Sequence, residues 1–167
     1  MNEQINDYFK EIEHKVEAAY KIANKARKLG LDPEEQVSVH LAKNMAERVE
    51  GLIGVLVPGI IDSGLSNRIQ ELEKKYGKLD WRVALSISLE VVNERFCKFE
   101  NKTKAMEAGI RVGLAYLTLG VVSSPLEGFV ELKLKKRMDG KEYFCLMYSG
   151  PIRSAGGTAG AFSVVIA

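Results

Sequence analysis

The chain has 167 residues, 24 basic and 22 acidic side chains and a formal net charge of +2, enough for one compact domain or two small ones with an ordinary core. Hydrophobic residues at 46% and charged residues at 28% exclude an intrinsically disordered chain. Only two cysteines occur, Cys97 and Cys145, without a second thiol or histidine at metal-ligand spacing, so both are expected to be buried thiols in a reducing compartment.

The first residues, Met1-Asn-Glu-Gln-Ile-Asn-Asp-Tyr8, are acidic and polar where a secretory signal would be basic and then apolar, which points to a cytoplasmic protein. Ile5, Tyr8, Phe9, Ile12, Val16, Ala19, Tyr20, Ala23 and Ala26 recur at helical spacing, with Lys10, Glu11, Glu13, Lys15, Glu17 and Lys21 on the other face. This spacing predicts a long amphipathic helix that ends at Gly30. Asp32-Pro33-Glu34-Glu35 offers an acceptor cap and a proline at the first helical position, and predicts a fresh helix start. The run from Val37 to Leu41 alternates too briefly to assign. Met45, Val49, Leu52 and Ile53 mark a short helix closed at Gly54, followed by an apolar connection broken at Pro58. Ser66 is expected to cap a helix carrying Ile69 and Leu72 that stops at Gly77. Asp80 is expected to cap the next, with Trp81, Ala84, Leu85, Leu89 and Val92 as its apolar stripe. A polar segment from Asn93 to Lys104 holds Phe96 and Phe99 and leads into a helix from Ala105 to Leu119, closed by Gly120.

After Ser123-Ser-Pro125 the period changes from 3.6 to 2. The run from Val112 to Leu126 is free of charge but too short to span a bilayer. Val130, Leu132 and Leu134 alternate with Glu131, Lys133 and Lys135, Asp139-Gly140 supplies a two-residue turn, and Glu142 to Tyr148 returns as the second strand of a hairpin. Gly150 to Ala167 then runs as a turn, a small-residue loop and an apolar helix-like segment. That segment stops without Gly, Pro or a charged last turn, so it is expected to continue in a longer chain. The fold class is α+β, with a helical N-terminal domain over 1–120 and the start of a second α+β domain over 121–167.

Two stretches carry candidate chemistry. Gly156-Gly157-Thr158 at a helix start can present bare N–H groups to an anion, with Arg153 as a charged fork. The lysine of a Walker loop and the spacing of the dinucleotide fingerprint are both missing, and a tight turn whose glycines serve only packing is the competing reading. Lys133, Lys135, Lys136 and Arg137, with Lys141 across the turn, form a cationic hairpin tip, which suits either a phosphate backbone or a protected sheet edge. His14 and His40 lack a carboxylate or cysteine at triad or zinc spacing. Between Lys141 and Ala167 the only carboxylate is Glu142, so this end cannot hold magnesium for phosphoryl transfer.

Gly150-Pro-Ile-Arg-Ser-Ala-Gly-Gly-Thr158, preceded by Val122-Ser-Ser-Pro-Leu-Glu-Gly128 and Ala46-Glu-Arg-Val-Glu-Gly51, closely resembles the N-terminal region of the large subunit of the archaeal D-family replicative DNA polymerase. The helix after Asp80 and the Gly109-Ile-Arg-Val-Gly113 segment fit as well. Cys145, Met147 and Ala159-Gly160 depart from the pattern, and Gly160 weakens the start of the final helix. The resemblance implies a DNA-directed DNA polymerase, a heteromer with a small 3′–5′ exonuclease subunit, and a KH-like module in this region. The family's catalytic aspartates and zinc cysteines lie beyond residue 167, so Mg2+ and Zn2+ are implied for the full enzyme, and the chain alone is expected to be inactive. Its DNA-binding candidates are Arg153, Ser154, Gly156, Gly157 and Thr158 with Lys133, Lys135, Lys136 and Arg137. A stand-alone nucleic-acid or protein interaction module and a nucleotide-dependent transferase built around the loop are the alternatives.

Overall fold

The structure is a computed structural model that describes residues 3–31, 41–118, 128–150 and 157–167. It divides into two compact units, 1–43 and 44–167.

The first unit is built on α1, Glu3–Lys28. Acids crowd its first half and Lys25, Arg27 and Lys28 its last turn, the order that a helix dipole favours. Phe9, Ile12, Val16 and Tyr20 are half-buried, but no residue of α1 is fully buried, and Ile5 and Tyr8 of the expected stripe are exposed. Lys43 folds back to pair with Glu13 at 2.9 Å. The helix start expected at Asp32, and His40, lie outside the described residues.

The second unit runs α2 (Met45–Gly54), a single 3-10 turn (Pro58–Ile60), α3 (Leu65–Tyr76), α4 (Trp81–Val92), α5 (Lys102–Leu117), β1 (Phe129–Lys136), β2 (Glu142–Tyr148) and α6 (Gly157–Ile166). The α+β class holds. Asn44 and Asn101 cap α2 and α5, each accepting from the amide three residues on, so α5 begins three residues earlier than expected. Asp80 caps α4 as the sequence predicts. Ser66 does not cap α3. Gly64 takes that position, and the carboxylate of Glu50, carried on α2, accepts from the amides of Asp62 at 2.8 Å and Ser66 at 2.7 Å. A side chain sixteen residues away thus satisfies donors that a helix start leaves open.

The stripe of α4 also differs from expectation. Val83, Ala84, Ile87, Ser88 and Val91 are buried, whereas Trp81 is 59% and Leu89 62% exposed. Both sets have helical periodicity, and only packing decides between them. That packing is against α5, whose backbone comes close because Gly109 and Gly113 face it. A Cβ at Gly109 would stand 2.8 Å from the Ser88 carbonyl oxygen, and one at Gly113 would collide with Ser88 Oγ. The Gly109-Ile-Arg-Val-Gly113 block is therefore a close-approach surface.

α5 is the central element, with ten buried residues. One face, through Ala108, Val112, Ala115 and Tyr116, joins the core of α2, α3 and α4. The other, through Ile110 and Leu114, meets Phe129 and Leu132 of β1 with Phe162 and Ile166 of α6. The Tyr116 hydroxyl donates to Glu73 and accepts from the Leu79 amide, tying α5 to the α3–α4 connection. Burial and the Glu73 carboxylate push its pKa up.

Candidate nucleic-acid interface

The hairpin is antiparallel, pairing Lys133 with Cys145, Lys135 with Tyr143 and Lys136 with Glu142. Its turn has three residues rather than two. Arg137 N–H donates to the Lys141 carbonyl at 2.7 Å and Gly140 N–H to the Arg137 carbonyl at 3.0 Å, so Met138, Asp139 and Gly140 form the loop. Gly140 has φ of 81°, the left-handed position that closes such a loop and that glycine fills without strain.

A bulge between Phe129 and Glu131 resets the alternation. Phe129 and Leu132 point to the core, while Val130, expected on their face, is 50% exposed; Leu134 stays on the inner face but lies beyond the packed core and is 56% exposed. The extra residue of a bulge leaves backbone groups unpaired, and α5 answers them. Arg111 Nη2 donates to the carbonyls of Val130 at 2.7 Å and Phe129 at 3.2 Å, its guanidinium lies 4.8 Å from the centre of the Phe129 ring, and Glu107 accepts from the Leu132 amide at 2.9 Å. Lys104 holds the second Glu107 oxygen at 2.9 Å. Burial works to raise the Glu107 carboxyl, but the Leu132 amide, Lys104 and Arg111 outweigh it and hold the pKa below its usual value. Burial lowers the Arg111 pKa against the pull of Glu107.

Glu107 and Arg111 are not singled out by the sequence, where charges on a helix read as solvated. Their signal is position: they stand one turn apart on a helix that is otherwise apolar on nearly every side. At the far end of β2, the Tyr148 hydroxyl donates to Ser163 Oγ of α6, which donates in turn to the Gly160 carbonyl at 2.7 Å. α6 begins at Gly157, ahead of Gly160.

Strand alternation places Lys133, Lys135 and Arg137 of β1 and its turn on the outer face, with Lys141, Tyr143, Cys145 and Met147 across from them. Lys136 falls on the inner face, opposite Glu142. The five cations are thus split four to one. Lys133 pairs with Glu131 at 2.7 Å, which raises its pKa, and Arg137 approaches Asp139 at 3.6 Å. Among the described residues Lys135, Lys136 and Lys141 make no ion pair, and all three are exposed. Gly157 is exposed at the start of α6, and Thr158 follows it in the helix. Arg153, Ser154 and Gly156 lie outside the described residues.

Cys97 and Cys145 are free and half-buried rather than buried, Cys145 because it sits on the outer hairpin face. His14 is exposed on α1. Among the described residues no three His, Cys, Asp or Glu side chains converge as a metal site, and no helix is long and apolar enough to cross a membrane.

Residues 7–167 match the family model described as DNA polymerase II large subunit DP2, N-terminal. The chain is 46% identical over 160 residues to the DNA polymerase II large subunit of Nanoarchaeum equitans, covering 96% of this chain and 13% of that protein. Proteins of the same name from Methanosarcina barkeri and Pyrococcus furiosus are each 43% identical over 165 residues, covering 99% and 98% of this chain and 14% and 12% of theirs. The chain thus spans about one-eighth of the length of these relatives.

Proposed function

The chain belongs to the family of DNA polymerase II large subunit N-terminal regions, and from that premise we propose that it works as the N-terminal region of a replicative DNA-directed DNA polymerase, contributing assembly and DNA-backbone contacts. The observation that carries this reading is a match at more than 40% identity along almost the whole chain. In this reading the enzyme is a cytoplasmic heteromer whose smaller subunit supplies 3′–5′ exonuclease activity. Mg2+ and Zn2+ serve parts of the enzyme other than these residues.

The structure suits a supporting role. α5 fixes the hairpin through packing and the Glu107–Arg111 latch, so the cations project from a rigid element. Lys133, Lys135, Lys136 and Arg137 supply sequence-independent attraction to phosphates, Arg153 and Ser154 add hydrogen bonds, and the amides of Gly156, Gly157 and Thr158 donate to a phosphate oxygen. Together the hairpin and α6 form part of a KH-like module.

The salt dependence of DNA affinity tests this. Replacing Lys135, Lys136 and Arg137 together by alanine is expected to reduce the slope of log affinity against log salt, on single-stranded or duplex DNA, by roughly 0.7–0.9 for each phosphate that the variant no longer neutralises. An unchanged slope would remove the hairpin from the interface. The chain alone is expected to incorporate no nucleotide, and incorporation by it would overturn the assignment of the chemistry to other parts of the enzyme.

A further inference from the structure

Resting on the reading of the hairpin as a DNA contact, we propose that its outer face takes single-stranded rather than duplex DNA, with Tyr143 as the platform on which a base stacks. The inner face is committed to the core at its base, where Phe129 and Leu132 pack on α5 and α6. Only the outer face combines an open aromatic ring with several cations.

Tyr143 is 43% exposed and stands directly opposite Lys135. Lys133 and Arg137 flank Lys135 on the same face, at the diagonal distance of about 7–8 Å that long side chains bridge. Lys141, two residues before Tyr143 and just ahead of β2, is again on this face. The ring thus shares its face with four cations, two from β1 and two that flank the turn, of which Lys133 also pairs with Glu131 and Arg137 with Asp139. At the tip Arg137, Met138, Asp139 and Tyr143, with Lys136 from the other face, border a shallow depression that is mostly open to solvent. Phe144 is 46% exposed but lies opposite Leu134 on the inner face, where it extends an apolar stripe.

These features separate the two forms of DNA. A duplex buries the faces of its bases within the stack and offers a protein ring nothing to stack on, so it would use only the cations. A single strand offers phosphates and free base faces together, the pair of groups that a charged surface with an interleaved aromatic recognises. Edge protection accounts for the lysines but not for a tyrosine held open among them. Stacking on a phenol ring does not read base identity, so this contact tolerates sequence.

The test uses the whole chain, with oligothymidylate and a duplex of equal length as probes, and fluorescence anisotropy across a salt series. Tyr143→Ala is expected to weaken oligothymidylate binding about tenfold, with unchanged salt slope and unchanged duplex affinity. Tyr143→Phe keeps the ring and is expected to bind like wild type. Lys135→Ala is expected to lower the single-strand salt slope by about 0.7. Circular dichroism melts of the three variants should coincide with wild type, because both positions are exposed. If Tyr143→Ala binds oligothymidylate as wild type does while Lys135→Ala binds less, the stacking platform is wrong and the backbone contact survives. If wild type prefers duplex, the single-strand assignment is wrong. If wild type binds neither probe, the DNA reading itself fails and this inference with it.

Discussion

The two faces of α5 are joined to their neighbours by opposite means. Toward α4 the contact is made by leaving atoms out: Gly109 and Gly113 have no side chain, and Ser88 fills the space they leave. Toward the hairpin it is made by putting charge in, with Glu107 and Arg111 reaching the backbone of a bulged strand. The α4 face is therefore limited by volume, and the hairpin face by hydrogen bonding. One helix can serve both because its glycines and its ion pair point in different directions.

This contrast can be broken from either side. Adding atoms should hurt most where volume is limiting. Gly113→Leu, at a position where even a Cβ meets Ser88 Oγ and lies 3.1 Å from Ile166 Cδ1, is expected to destabilise the chain by about 3 kcal/mol in urea unfolding. A loss below about 1 kcal/mol would mean that the α4–α5 contact yields easily.

On the hairpin face, removing charge should matter more than changing volume. Glu107→Gln keeps the shape of the side chain and weakens its bonds to the Leu132 amide and Lys104, at an expected cost of about 2 kcal/mol near neutral pH. Because the folded-state pKa of Glu107 lies below its ordinary value, its contribution is present above that ordinary value and fades as pH falls through the folded one. The gap between wild type and Glu107→Gln should therefore begin to narrow as pH falls through the ordinary carboxylate range and close below the lowered folded-state pKa. A gap that persists in acid would show the effect to be one of packing.

The smallest effect has the opposite sign. Ser88 Oγ is buried and has no hydrogen-bond partner among the described residues. Ser88→Ala removes that unsatisfied group and loosens the contact with Gly113, so a gain of about 1 kcal/mol is expected. A drop in stability would reveal a partner for the hydroxyl.

Local signals carried much of this fold. The helices around Ile69, Asp80 and Ile110, and a hairpin with its turn near Asp139-Gly140, follow from periodicity, caps and turn residues that act over a few positions. The family was legible too, in blocks such as Ala46 to Gly51 and Gly109 to Gly113. The structure gives physical reasons for parts of both blocks, since Glu50 caps α3 and the two glycines admit α4.

What local pattern could not supply is which of two possible faces is buried. Trp81, Leu85 and Leu89 have the same four-residue spacing as Val83, Ile87 and Val91, and the choice between them belongs to α5. The bulge at Val130 adds one residue, and with a period of two that is enough to turn the side chains before it to the other face. It therefore decided that Phe129 rather than Val130 faces the core. The outer hairpin face was half legible: its lysines were visible as a run, but their separation from Lys136 and their arrangement around Tyr143 depend on register. The sequence by itself determined most of the described elements and the family, because propensity, caps and motifs are properties of neighbouring residues. The tertiary structure alone decided faces, the capping of α3 by Glu50 and the latch of Glu107 and Arg111, because those energies arise between groups that the chain brings together only when it folds.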